Sequence, residues 1–224
     1  MIKLKDITKT YNAGRSNEFR ALGGITLEIE DGRVTALVGP SGSGKTTLLS
    51  IMGCMSRPTS GRAWVEGKEV TSLPERFLTE HRRRTFGFIF QQFNLVRGLT
   101  ALENAMLPAY PTGEPWHQIR DRALGLFEHF SLAEKAHEKV QWLSGGQAQR
   151  VAVIRALIND PHVIIADEPT ANLDSKLSIE IMETLGKLNA EGRTIIITSH
   201  DPAVYGSSVV HRALRMRDGL MEEP

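Results

Sequence analysis

Val34-Thr-Ala-Leu-Val38-Gly39-Pro40-Ser41-Gly42-Ser43-Gly44-Lys45-Thr46-Thr47 is the stretch from which the rest of the chain is read. Val34 to Val38 reads as a buried strand, and Gly39 to Thr46 match the pattern G-x-x-x-x-G-K-[ST]. From Thr46 onward, Leu48, Leu49, Met52 and Met55 fall at helical spacing. Strand, glycine-rich loop and helix in that order suit a phosphate. The glycines let backbone N–H groups turn inward onto phosphate oxygens, and the helix N-terminus adds positive partial charge. Lys45 is expected to reach the β- and γ-phosphates, and the Thr46 hydroxyl to ligate Mg²⁺. The expected nucleotide-binding run is Gly39, Pro40, Ser41, Gly42, Ser43, Gly44, Lys45, Thr46 and Thr47.

A second short apolar strand, Val163-Ile-Ile-Ala166, delivers Asp167 and Glu168 at its C-terminal tip. Ligands of parallel α/β sheets bind at that edge. A hard cation takes oxygen ligands, so Asp167 suits Mg²⁺ and Glu168 is placed to polarise an attacking water. Alone, an Asp-Glu pair could equally announce a helix start. The upstream phosphate loop favours the catalytic reading.

Outward from these motifs, Ile2, Leu4 and Ile7, then Ile25, Leu27 and Ile29, alternate with polar residues as strands do, and Asp31-Gly32 is a turn signal. Residues 91–160 change character. Amphipathic stretches at Ile119–Phe130 and Gln147–Ile158 dominate there, and Pro108, Pro111 and Pro115 predict a loop rather than a helix between them. Strands return at Val163–Ala166 and Thr194–Thr198, with a helix over Ser178–Leu188 between. The expected fold is α/β, a mostly parallel sheet with an antiparallel β part and an inserted helical lobe. In that reading 1–224 is one domain, with 1–90 and 161–224 as the core and 91–160 as the lobe.

Composition narrows the partners. The 224 residues carry 27 Lys+Arg against 26 Asp+Glu, a net charge of +1 that argues against a general nucleic-acid binder. Cys54 is the single cysteine, so no internal disulfide forms and a reducing compartment is expected. No apolar run approaches the roughly 20 residues of a membrane helix, and the N-terminus has no signal-peptide core. Any membrane contact is expected through a partner.

Leu143-Ser144-Gly145-Gly146-Gln147 opens the helix ahead of Val163. Ser144 and Gln147 form a capping-box pattern, and Gly145-Gly146 would bare helix N–H groups to an anion. With the two motifs above, the chain resembles the ATP-binding subunit of ABC transporters, whose diagnostic pentapeptide is LSGGQ. The resemblance runs from residue 1 to about 220 and implies a P-loop, RecA-like core. It implies ATP and Mg²⁺ as ligands, with Ser144, Gly145, Gly146 and Gln147 contacting ATP. It also implies that Tyr11 stacks on adenine, although a half-buried strand aromatic is an equal reading of Tyr11 alone. Gln91, with Gln92 beside it, matches the glutamine that reaches Mg²⁺ and water and senses the membrane partner. His200 matches the switch histidine at the γ-phosphate, and Ala171-Asn172-Leu173-Asp174 the loop that crosses between subunits. Ala148 and Ile154 depart from the usual residues without touching a catalytic role, and Tyr205-Gly-Ser-Ser-Val-Val-His-Arg-Ala213 is atypical and uninterpreted.

The resemblance further implies a homodimer with ATP sandwiched between the phosphate loop of one copy and the LSGGQ helix of the other. The stroke would drive an integral membrane permease at the cytoplasmic face of the membrane, its coupling helix seated near Gln91 to Pro108. Arg82-Arg83-Arg84 could help dock there or meet lipid headgroups, although a charge run is more often a solvated face. Phe90-Gln-Gln-Phe-Asn-Leu95, Leu99-Thr-Ala-Leu-Glu-Asn104 and Pro169-Thr-Ala-Asn-Leu-Asp174 look like the group serving lipoprotein release, macrolide export and cell division. The absence of a C-terminal regulatory domain fits that group. The alternative is a soluble ABC ATPase of an assembly complex, such as iron–sulfur cluster assembly, which would use the same nucleotide site. A DNA-repair relative would need a long coiled coil, but 96 residues separate Thr46 from Leu143. A translation factor would carry two cassettes, and a GTPase an Asn-Lys-x-Asp motif.

Overall fold

A computed structural model describes residues 1–171 and 173–222. Asn172, within the expected subunit-crossing loop, lies outside the described residues, as do residues 223 and 224. Ten strands and seven α-helices are found among them: β1 (Ile2–Tyr11), β2 (Phe19–Ile29), β3 (Val34–Val38), α1 (Lys45–Met52), β4 (Ser60–Val65), β5 (Lys68–Glu69), α2 (Glu75–Thr85), β6 (Phe86–Ile89), α3 (Ala101–Met106), α4 (Trp116–His129), α5 (Gly145–Leu157), β7 (Val163–Asp167), α6 (Ser175–Ala190), β8 (Thr194–Ser199), α7 (Pro202–Tyr205), β9 (Arg212–Arg217) and β10 (Leu220–Met221).

The strands form two sheets. An antiparallel one runs β2-β1-β4-β5, and a six-stranded one runs β10-β9-β3-β8-β7-β6. In the second, β9, β3, β8, β7 and β6 are all parallel, and only β10 turns back. Parallel strands are covered on both faces and so are apolar throughout. Alternation within them then assigns faces. Ile164, Ala166, Ile195 and Ile197 pack with α5 and α6, whereas Leu37, Val163, Ile165 and Ile196 pack with α1 and the antiparallel sheet. Each fully buried Ile or Leu contributes about 1.5–3 kcal/mol of transfer free energy.

A third core joins Leu102, Met106, Ile119 and Phe127 to Val151, Ile154 and Ile158. Helix α5 belongs to both cores, because its Val153, Ala156 and Leu157 face the sheet. It is the shared wall between helical block and sheet. Ile154, an unusual residue by the family resemblance, is fully buried there.

Three expectations need correction. The proline-rich span is not plain loop: Leu107–Thr112 forms a 3₁₀ helix, which accommodates Pro108 near its start, and Pro115 caps the entry to α4. The helix after the phosphate loop ends at Met52 instead of reaching Met55, which is exposed. Gly53 is its C-cap and sits in close approach to the sheet, since a Cβ there would lie 2.6 Å from the Phe88 ring and 2.8 Å from Ile165. The chain also continues past β8 into β9 and β10. The uninterpreted segment is the route to them: Val209 and Val210 pack on the sheet core, and His211 Nδ1 accepts the Val34 N–H at 3.1 Å.

Candidate functional site

Parallel pairing aligns strand ends. Register pairs Val38 with Ser199 and Asp167 with Thr198, so the loops after β3, β7 and β8 leave from one edge. That edge carries an open cavity of about 280 Å³ lined by Ser41 to Thr47, Gln91, Glu168 and His200, with Phe19 and Ala21 on its rim.

The loop Gly39–Gly44 needs its glycines for close approach. A Cβ on Gly39 would lie 2.1 Å from the Met216 carbonyl, and one on Gly44, whose φ is 97°, would lie 2.7 Å from that of Ala21. Gly44 brings no side-chain cap to α1, so the first-turn N–H groups are left to the cavity. Lys45 is 6% exposed and its ammonium donates to the carbonyls of Gly39 at 2.7 Å and Pro40 at 3.0 Å. The same Nζ is 3.9 Å from Glu168 Oε1. The lysine thus reaches across the loop to the acidic strand end. A buried ammonium facing open N–H groups makes the cavity anion-selective.

Asp167 Oδ1 accepts the hydroxyls of Thr46 at 3.1 Å and Thr198 at 2.6 Å. Thr46, Asp167 and the Gln91 amide offer hydroxyl, carboxylate and carbonyl oxygens, a donor set that fits Mg²⁺ completed by phosphate and water and does not fit a soft metal. Glu168, one residue further, holds a left-handed φ of 48°. Its carboxylate meets His200 Nδ1 at 2.8 Å.

The expected residues divide into two groups. Ser41, Gly42, Ser43, Gly44, Lys45, Thr46, Thr47, Gln91, Glu168 and His200 share the cavity, with Gly39, Pro40 and Asp167 bonded to it through Lys45 and Thr46. Tyr11 is not in its lining; it sits at the end of β1, cross-strand from Phe19 and half exposed, with Lys9 over its ring. Ser144, Gly145, Gly146 and Gln147 are absent from the lining too. They start α5 with the capping box the pattern predicts: the Gln147 N–H donates to Ser144 Oγ at 3.3 Å and the Ser144 N–H to Gln147 Oε1 at 2.9 Å. Asp174 caps α6 by accepting the Leu177 N–H.

Two residues were missed from sequence. Phe19, on the cavity rim, precedes any recognisable motif, and only its cross-strand pairing with Tyr11 reveals it. Thr198 reads as one more residue of an apolar strand.

The ABC transporter family model matches residues 22–171. The macrolide export ATP-binding/permease protein MacB of Hyphomonas neptunium is 47% identical over 219 residues, 98% of this chain. This chain spans only 34% of that protein's length. An uncharacterized ABC transporter ATP-binding protein of Thermotoga maritima is 43% identical over 99% of this chain and 94% of its own length. Among solved structures, the dimeric bacterial ABC transporter cassette MJ0796 superposes with a TM-score of 0.90 at 42% identity, covering 100% of this chain and 97% of that one. The same cassette is also known as a dimer in a post-hydrolysis state bound to ADP and Pi, with the same score. With the family model covering more than half of the chain and a relative 43% identical over nearly its whole length, this chain belongs to the ABC transporter family.

Proposed function

We propose that this chain is the ATPase subunit of a transporter, closing as a homodimer around two ATP–Mg²⁺ and driving an integral membrane permease. The observation that carries the reading is the separation of the two half-sites. Lys45, Gln91, Glu168 and His200 share one cavity, while Ser144 to Gln147 lie off its wall. A Cβ on Gly145 would meet nothing within 4 Å, so the start of α5 leaves an open face for another molecule. A second copy supplies that face, as the dimeric state of the MJ0796 cassette suggests.

Within one copy, Gly39 to Thr47 hold the phosphates through backbone N–H groups and Lys45, and Tyr11 carries the base. Thr46, Asp167 and Gln91 hold Mg²⁺, which would neutralise charge on the transferred phosphoryl group. Glu168 takes the proton of the attacking water, and His200 fixes that carboxylate and reaches toward the γ-phosphate. Ser144, Gly145, Gly146 and Gln147 of the other copy close over it. Hydrolysis removes the shared phosphate and releases the two copies from each other.

The chain acts as one cassette over 1–224, with 91–160 as the lobe that meets the permease at the cytoplasmic face of the membrane. No helix among the described residues is long and apolar enough to cross a membrane. The joint ATP-binding/permease naming of the MacB relatives favours a membrane partner over a soluble assembly complex, and supports the likeness to the lipoprotein-release, macrolide-export and cell-division group. Glu168→Gln with ATP and Mg²⁺ tests the reading by light scattering. The variant should double its mass and hardly turn over; a monomer at saturating ATP would overturn the dimer.

A further inference from the structure

Strand β8 ends Ile195-Ile-Ile-Thr198-Ser199, and Thr198 is as completely buried as the three isoleucines before it. A hydroxyl enclosed among apolar strands must find partners or lose the bonds it made to water. Both of its partners lie at the acidic strand end. Thr198 Oγ1 donates to Asp167 Oδ1 at 2.6 Å. The same oxygen accepts the backbone N–H of Glu168 at 2.9 Å.

Each bond answers a specific need. Register sets Thr198 beside Asp167, so its hydroxyl fixes one oxygen of the carboxylate that Thr46 also contacts. Glu168 turns away from the strand with a left-handed φ of 48°, a conformation that disfavours any residue with a Cβ. Such a bend persists only when its surroundings hold it. The Glu168 N–H, bonded to Thr198, is the backbone group at that bend. Packing alone would be met by valine, which has the same shape and no directional bond.

We infer that Thr198 is a positioning residue for ATP hydrolysis, its one hydroxyl setting both the orientation of the Asp167 carboxylate and the backbone bend that aims Glu168 into the nucleotide cavity. The inference rests on the roles given above to Asp167 and Glu168. Misplacing a catalytic group by about 1 Å can cost on the order of 100-fold in rate.

The test compares Thr198→Val and Thr198→Ser with the parent, and Glu168→Gln as a control. Thr198→Val should lose about 10- to 100-fold in kcat while ATP affinity stays within about twofold, and Thr198→Ser should restore turnover to within about threefold. Hydrogen exchange at the Glu168 amide gives a readout independent of activity. It should be slow in the parent, which needs no variant to fold, and should quicken at least about tenfold in Thr198→Val without matching change along β8. Turnover within twofold of the parent in Thr198→Val, with Glu168→Gln inactive, overturns the inference alone, as does rapid exchange of the Glu168 amide in the parent. Turnover at the parent rate in Glu168→Gln overturns instead the catalytic reading beneath it.

Discussion

His200 Nδ1 and Glu168 Oε2 are paired at 2.8 Å, across the cavity mouth from the phosphate loop. The imidazole N–H donates and the carboxylate accepts; Oε1 also lies 3.1 Å from the same Nδ1, and that oxygen faces Lys45 Nζ at 3.9 Å. His200→Ala should cost about 100-fold or more in turnover, the usual worth of a group acting on proton transfer, while ATP still binds. Steady-state hydrolysis alongside equilibrium nucleotide binding decides it. Unchanged turnover would remove His200 from the catalytic set.

Lys45 is the one buried cation in the cavity among the described residues, and its ammonium already spans the loop to Gly39 and Pro40. Hydrogen bonds to charged groups contribute about 1.5–3 kcal/mol, equivalent to roughly 10- to 100-fold in affinity. Lys45→Ala should weaken ATP binding by that factor and leave the fold intact. An unaltered dissociation constant would undo the phosphate-loop assignment.

How much of this was legible in the sequence depended on whether a residue's role was local. The phosphate loop, the Asp167-Glu168 strand end and the Ser144–Gln147 capping box are set by neighbours within a few positions, and each was readable. Strands β3, β7 and β8 were legible because burial on both faces makes them apolar throughout. Helix α2 was not, because its Arg82-Arg83-Arg84 end and few buried residues leave almost no apolar stripe. Strand β9, Arg-Ala-Leu-Arg-Met-Arg217, hid for the same reason, since only Met216 is buried. Phe19 and Thr198 escaped because their meaning comes from cross-strand register, which no local window contains.

Arg155 joins the LSGGQ helix to the segment after Gln91. Its two guanidinium arms donate to the carbonyls of Phe93 and Asn94, each at 2.6 Å, and the group lies over the Phe90 ring. Phe93 and Asn94 both hold positive φ, at 56° and 49°, so the clamp secures a strained turn. Arg155→Met strips two carbonyls of their donor. Phe93 is half-buried and Asn94 exposed, so water compensates in part, and the loss is about 1–3 kcal/mol, the range for hydrogen bonds to a charged donor and for an unmet acceptor. A melting-temperature drop of roughly 2–12 °C follows for a chain of this size, at about 2–4 °C per kcal/mol. Arg155→Lys, with one ammonium for two acceptors, should recover only part of it. Thermal unfolding of both variants checks the claim, and a drop below about 1 °C in Arg155→Met would show that the clamp contributes nothing.

Cys54 follows α1 in a left-handed turn and is 5% exposed. Burial pushes its thiol up to about 11, against the opposing pull of Arg82. The thiolate is the reactive form, so two conditions suppress alkylation: little thiolate and little access. At pH 8 a thiol of pKa about 11 carries roughly 100-fold less thiolate than one at the ordinary value of 9.0. Labelling by iodoacetamide should therefore be at least about 100-fold slower in the folded protein than in denaturant. Below pH 11 the folded rate should keep climbing about tenfold per unit, because the population of thiolate is still growing. The sign for stability is the same: the raised pKa favours the folded thiol below pH 9, and that contribution is lost as pH climbs from 9 toward 11. A labelling rate that levels off near pH 9, or that matches the denatured rate at pH 8, would place Cys54 in contact with water and contradict its packing against the sheet.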